Sequence, residues 1–126
     1  MRRMTKLNVA PIRYPILFLG KKWTIEILTL LMSGKKRFTD FLEANENLSS
    51  KILAERLKEL IEFQLIEKIV VNMIPLRVFY RITFRGRALE SIFVELAKYS
   101  ISHFKESLLK EDLNEFELEN YISENF

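Results

Sequence analysis

The spacing of apolar positions changes character twice along this chain. Trp23, Ile27, Leu30 and Leu31 recur at helical intervals and predict a helix over 22–33, with Gly34 behind it as a C-terminal cap. Phe41 and Leu42, in a segment opened by Thr39 as N-cap and closed by Asn45, predict barely two further turns. Ser49 or Ser50 can cap the next helix, which runs to about Phe63. It turns Leu53, Leu57, Leu60 and Ile61 inward and Lys51, Glu55, Lys58 and Glu62 to the opposite side. After Gln64 the period becomes strand-like: 66–72 and 77–83 are rich in β-branched and aromatic residues, and Met73-Ile74-Pro75-Leu76 separates them as a hairpin turn. In the second strand Arg77, Phe79 and Arg81 point one way, Val78, Tyr80 and Ile82 the other. From Gly86 the helical interval returns and predicts one long helix to about Phe104.

The two ends are less regular. Residues 1–10 show no clear period and 1–12 are expected to form a flexible basic arm, while from Pro11 onward Ile12, Pro15, Ile16, Leu17, Phe18 and Leu19 suggest a short helix or extended lead-in ending near Gly20. Residues 13–104 then form the main domain, and 105–126 an acidic extension. That extension carries Leu108, Leu109, Leu113, Phe116, Leu118, Tyr121, Ile122 and Phe126, too apolar for a solvated tail, so a packed helix is expected. The fold class is mainly α with a β-hairpin wing (α+β): a winged helix-turn-helix with flanking dimerisation helices. Trp23, the inward side of the third helix and the inner hairpin face already supply a core. Leu89, Ile92, Phe93, Leu96, Ile101 and Phe104 are therefore expected to meet a second copy of the chain.

A chain of 126 residues is one domain's worth. The absence of cysteine excludes disulfides, zinc-thiolate sites and thiol redox sensing. The polar start is unlike a secretory signal and no apolar run approaches the roughly 20 residues that span a bilayer, so a soluble, cytoplasmic protein without membrane contact is expected. The net charge of +3 hides an asymmetry: residues 1–104 hold 18 Lys/Arg against 10 Asp/Glu, and residues 105–126 hold 2 against 7. A domain with that balance suits approach to phosphates.

A short helix, a polar turn and a second helix with a polar front can place one helix end in the major groove of double-stranded DNA. Direct readout falls to the exposed first turns, hence to Ser49, Ser50, Lys51 and Glu55, with Lys58 behind them. One of the two serines is equally a simple cap. Arg77 and Arg81 on the wing, and the cluster Lys35, Lys36 and Arg37, are candidates for backbone contact. Arg56, at the edge of the buried side, suits an ion pair with Asp40 or Glu43 as well as it suits a phosphate. Arg85 and Arg87 oppose the dipole at the start of a helix, a cost that an anion would relieve. Trp23 reads as core. His103 has no partner at metal-ligand spacing, so neither a metal nor a cofactor is expected, and no catalytic constellation supports an enzyme.

Several of these segments together resemble the HxlR-type group of MarR-like winged-helix transcription regulators. They are Pro15-Ile16-Leu17-Phe18-Leu19-Gly20-Lys21-Lys22-Trp23-Thr24, Arg37-Phe38 with Phe41-Leu42, Leu48-Ser49-Ser50-Lys51-Ile52-Leu53 with Arg56-Leu57-Lys58-Glu59-Leu60, Pro75-Leu76-Arg77-Val78-Phe79-Tyr80, and Thr83-Phe84-Arg85-Gly86-Arg87-Ala88-Leu89. The resemblance implies a homodimeric, sequence-specific DNA-binding regulator whose terminal helices form the dimer interface. Two-fold symmetry then calls for a pseudo-palindromic operator. Three departures stand out. Oxidant-sensing members commonly carry a cysteine where this chain has Tyr14, the family favours glycine where it has Gln64, and the acidic extension lies outside the resemblance. A different class of function, a winged helix that binds a protein of the transcription machinery, draws on that acidic extension. A small-molecule effector is a third possibility for which no residue set speaks.

Overall fold

A computed structural model of the chain describes residues 5–72 and 74–125. Its elements run α1 Lys6–Leu19, α2 Thr24–Met32, α3 Phe38–Ala44, α4 Ser50–Glu62, β1 Ile66–Val71, β2 Arg77–Ile82, α5 Phe84–Arg87, α6 Glu90–His103, α7 Lys105–Ser107, a π-helical turn Leu108–Asp112, and α8 Glu115–Asn125. The chain divides at Arg87/Ala88 into two compact units.

The first unit is built around α4. Leu53, Leu57 and Leu60 are buried with Ile27, Leu28 and Leu31 of α2, Phe41 of α3 and Leu65, Ile66 and Ile82 at the base of the hairpin. Each fully buried Leu or Ile contributes roughly 1.5–3 kcal/mol, so this cluster is the main source of the unit's stability. Ile61, expected inside, is only half-buried. The antiparallel hairpin pairs Ile66 with Ile82 and Val71 with Arg77, one residue shorter per strand than expected. Lys36 adds a third short rung by exchanging backbone hydrogen bonds with Tyr80, at 2.9 and 2.7 Å.

Local chemistry explains where the elements depart from the expectations. Instead of a loose arm, the chain is helical from Lys6, with both Pro11 and Pro15 inside α1. Thr5 and Asn8 cap its start reciprocally: the Asn8 amide donates to Thr5 Oγ1 at 3.4 Å and the Thr5 amide to Asn8 Oδ1 at 3.2 Å. Residues 1–4 of the expected arm lie outside the described residues. Trp23 is half-buried rather than core, because with φ 77° it turns the chain just before α2 and delays that helix to Thr24. Thr39 lies within α3, not at its cap. The Asp40 carboxylate accepts the Arg37 amide instead, at 2.7 Å.

Gln64 follows α4 with φ 62°, in the left-handed region that glycine occupies without penalty. Its carbonyl accepts the Thr83 hydroxyl at 2.7 Å and its Oε1 takes Arg85 at 3.4 Å. Thr83 in turn caps α5, accepting the Gly86 amide at 3.0 Å. Here glycine is required: a Cβ on Gly86 would stand 2.1 Å from the Leu65 carbonyl oxygen.

In the second unit the helix expected to run unbroken from Gly86 to Phe104 is replaced by α6 alone, from Glu90, with α5 a separate short element of the first unit. Asn114 and Glu117 cap α8 reciprocally through bonds of 3.0 and 2.9 Å. Ala97 and Ile101 of α6, Leu108 and Leu113 of the connection, and Leu118 and Tyr121 of α8 line one apolar cleft of about 250 Å³. No helix of the described residues is long and apolar enough to cross a membrane.

The two backbone positions make opposite predictions. Gln64→Gly should raise stability by about 1 kcal/mol, by removing a left-handed non-glycine residue. Gly86→Ala should lower it by about 3 kcal/mol, because backbone must move. Urea denaturation of the two variants beside the parent checks both.

Candidate nucleic-acid interface

The front of α4 is exposed. Ser49 is the N-cap, its Oγ accepting the Ile52 amide at 3.2 Å, so of the two serines it is the one occupied by capping. Ser50, Lys51, Ala54, Glu55 and Lys58 lie along the solvent side, because burying one stripe of an amphipathic helix turns the opposite side out. A positive half-dipole and unsatisfied amides at this end add to the attraction for phosphate.

Arg56 is settled as a structural group. Its Nε donates to the Lys22 carbonyl at 2.9 Å and its Nη1 pairs with Glu59 at 3.0 Å, with 15% of the side chain exposed. Neither Asp40 nor Glu43 is its partner. Glu59 also takes Lys21 at 3.0 Å, so a three-residue network ties the chain before α2 to the middle of α4. Arg85 and Arg87 are likewise engaged within the fold, by the Gln64 side chain and by the Met32 carbonyl at 3.3 Å.

The wing cations divide between two faces. Tyr80 and Lys68 line an open groove with Ala54, Leu57, Lys58 and Glu62 of α4, so this side of the hairpin looks toward α4. Strand alternation then places Arg77, Phe79 and Arg81 on the other side. The rung between Lys36 and Tyr80 sets Lys35 and Arg37 on that same outer face. There Lys35 Nζ lies 4.5 Å and the Arg37 guanidinium 5.6 Å from the Phe79 ring centroid. Separately expected residues, Lys35, Arg37, Arg77 and Arg81, thus form one basic surface organised by Phe79. Lys36 lies apart, its backbone spent on Tyr80.

Arg81 is partly neutralised. It faces Glu67 across the ladder and binds it through Nε at 2.7 Å and through Nη2. Lys51, Lys58, Lys68 and Arg77 take part in no ion pair among the described residues. Lys68 is the contact candidate that sequence reasoning passed over, although its place opposite Tyr80 follows from the hairpin register. Burial raises the Tyr80 phenol above its ordinary pKa, so this ring stays neutral beside Lys58 and Lys68.

The residues expected at a dimer interface differ in exposure. Ile92, Leu96 and Phe104 are exposed, Phe93 and Ile101 half-buried, and Leu89 is already buried within the chain. In α1 Ile12, Tyr14, Ile16 and Leu17 are exposed as well, an apolar surface that its two prolines had obscured in the sequence. His103 stacks on Tyr99 at 4.6 Å. No group of three or more His, Asp or Glu residues placed to hold a metal occurs among the described residues.

A polar-fronted helix after a short helix, beside a two-stranded hairpin, defines a winged helix-turn-helix of the MarR-like kind. Residues 18–122 match the family model described as HxlR-like helix-turn-helix, and the chain belongs to that family of helix-turn-helix transcription regulators. It is 40% identical over 82 residues to the HTH-type transcriptional regulator YodB of Bacillus subtilis (strain 168), covering 65% of this chain and 73% of that one. The reduced form of YodB superposes with a TM-score of 0.68 at 34% identity, over 80% of this chain and 95% of the other. The HTH-type transcriptional regulator ytcD does so with a TM-score of 0.72 at 30% identity, over 81% and 99%.

Replacing Arg56 by alanine takes this donor from the Lys22 carbonyl and leaves Glu59 with Lys21 alone, and should cost about 2 kcal/mol of stability. The salt dependence of DNA binding should be the same for the folded variant as for the parent, since this guanidinium is spent inside the fold. Chemical denaturation and a salt titration of binding read the two effects separately.

Proposed function

We propose that the protein is a sequence-specific transcription regulator that binds a pseudo-palindromic operator as a homodimer. Each subunit sets Ser50, Lys51 and Glu55 in a major groove, with Lys58 and Lys68 at the edge of that groove and Arg77 against the backbone. The observation that carries this reading is the free polar front of α4, held by a buried stripe and flanked by a basic hairpin. The exposed Ile92, Leu96 and Phe104 of α6 support self-association, because no side chain of α6 is buried within the chain. Half-sites should then lie about 10 base pairs, or a small multiple, apart.

Without cysteine the signal that controls this regulator is not a thiol–disulfide change in its own chain. Tyr14 stands 74% exposed where oxidant-sensing members of the family carry the thiol.

The experiment is selection of genomic fragments by the purified protein, followed by binding titrations across salt concentrations. Log affinity should fall linearly with log salt, and Arg77→Ala should reduce the slope by about one per lost phosphate contact. Arg81→Ala should reduce it by clearly less, since Glu67 already neutralises that side chain. Equal slopes for parent and Arg77→Ala would remove the wing from the interface. Failure to enrich any fragment would overturn the reading.

A further inference from the structure

The acidic extension borders an uncharged cleft. Of the residues around this space of about 250 Å³ in the second unit, Ala97, Ser100 and Ile101 come from α6 and Leu118 and Tyr121 from α8, with Leu108 and Leu113 between them. No lining side chain is charged. In the same segment Glu106, Glu115, Glu117, Glu119 and Glu124 are all exposed, so these carboxylates stay in water while the cleft remains apolar.

Local bonds fix the frame of the cleft. The Leu113 amide donates to the Leu108 carbonyl at 2.6 Å, which closes the π-helical turn and joins two lining residues. Turns of this kind occur often at functional sites. The reciprocal cap of Asn114 and Glu117 sets the start of the helix that brings in Leu118 and Tyr121. No side chain of α6 is buried, so packing does not close the space beside that helix.

The lining selects a class of ligand. Ser100 is half-buried, and its hydroxyl has no hydrogen-bond partner among the described residues. It offers a polar contact in a surrounding that is mainly aliphatic. A charged molecule would lose its hydration here without gaining a counter-ion, and the acidic surface repels an anion before it arrives. An apolar cavity of roughly 150 Å³ holds benzene, so this cleft takes a molecule of about ten non-hydrogen atoms.

We propose that the cleft is a binding site for an uncharged, largely apolar small molecule, a one- or two-ring aromatic whose single hydrogen-bonding group meets Ser100. The site goes beyond the DNA-binding reading and does not depend on it. Its residues span 97 to 121, and folding of the second unit brings them together.

The test is an amide NMR titration of the full chain with indole, and with benzoate and benzylammonium as charged molecules of similar size. Indole should shift amides around Ser100, Leu118 and Tyr121, with a dissociation constant on the order of 1 mM or tighter. Both ions should bind at least about tenfold more weakly. Ser100→Ala should weaken indole roughly three- to tenfold and leave toluene, which has no polar atom, unchanged. Ala97→Phe fills the space and should abolish the binding of both, while circular dichroism shows it folded and sedimentation shows the parental state of association.

Indole shifts that are absent, or confined to other residues, overturn the site. Equal affinity for indole and either ion overturns the ligand class, and equal weakening of indole and toluene by Ser100→Ala overturns the hydrogen bond on which that class rests. A parent that ignores indole, with an association state that changes in Ala97→Phe, overturns the site by making the cleft a contact between copies. Should Ala97→Phe fail to fold, the shift map and the two affinities of Ser100→Ala decide. DNA binding is measured separately, so none of these results touches that reading.

Discussion

The organisation of the first unit depends on the burial of one stripe of α4. Leu53, Leu57 and Leu60 sit three and four residues apart, so a single helix face goes into the core with α2 and Phe41. A helix has only one opposite side, and Lys51, Glu55 and Lys58 occupy it. The polar front is therefore a consequence of core packing. The Ser49 cap fixes where that front begins, and the bonds from Arg56 to Lys22 and Glu59 fix α4 against the chain that enters α2. Rotation of α4 about its axis would cost the leucines, while sliding along it would break the network.

The hairpin obeys the same logic with a period of two. Ile66 and Ile82 are buried at its base, and every later residue alternates from that anchor. Lys68 and Tyr80 then look toward α4, whereas Arg77, Phe79 and Arg81 look away from it. The rung at Lys36 extends the outer face with Lys35 and Arg37, whose charges gather over Phe79. Four cations and one carboxylate on a small surface repel one another unless an anion arrives. Such a surface stays in water and is available to phosphate.

How much was legible depended on how local the determinant is. Caps and stripes are local: α4, its serine cap and the hairpin stand within a residue or two of where spacing puts them. Even the departure at Gln64 was visible, as a non-glycine residue where a left-handed turn is needed. Partners distant in sequence were not legible. Arg56 binds a carbonyl 34 residues away and Lys21 a carboxylate 38 residues away, and no period marks either pairing. Trp23 has the size of a core residue, but its φ of 77° makes it a turn residue. Prolines hid α1, since Pro11 and Pro15 lower helix propensity without forbidding a helix that has a capped start.

Periodicity and capping chemistry act over three or four residues, and so the order of helices, the hairpin and the orientation of the α4 front were already implicit in the chain. The assignment of charges was not. Whether a given arginine is spent inside the fold, as Arg56 is, tied to a neighbour, as Arg81 is, or without an ion pair among the described residues, as Arg77 is, depends on which groups folding brings within about 3 Å. That distance is set by packing between remote segments, and there the three-dimensional arrangement alone separates a structural cation from one available to DNA.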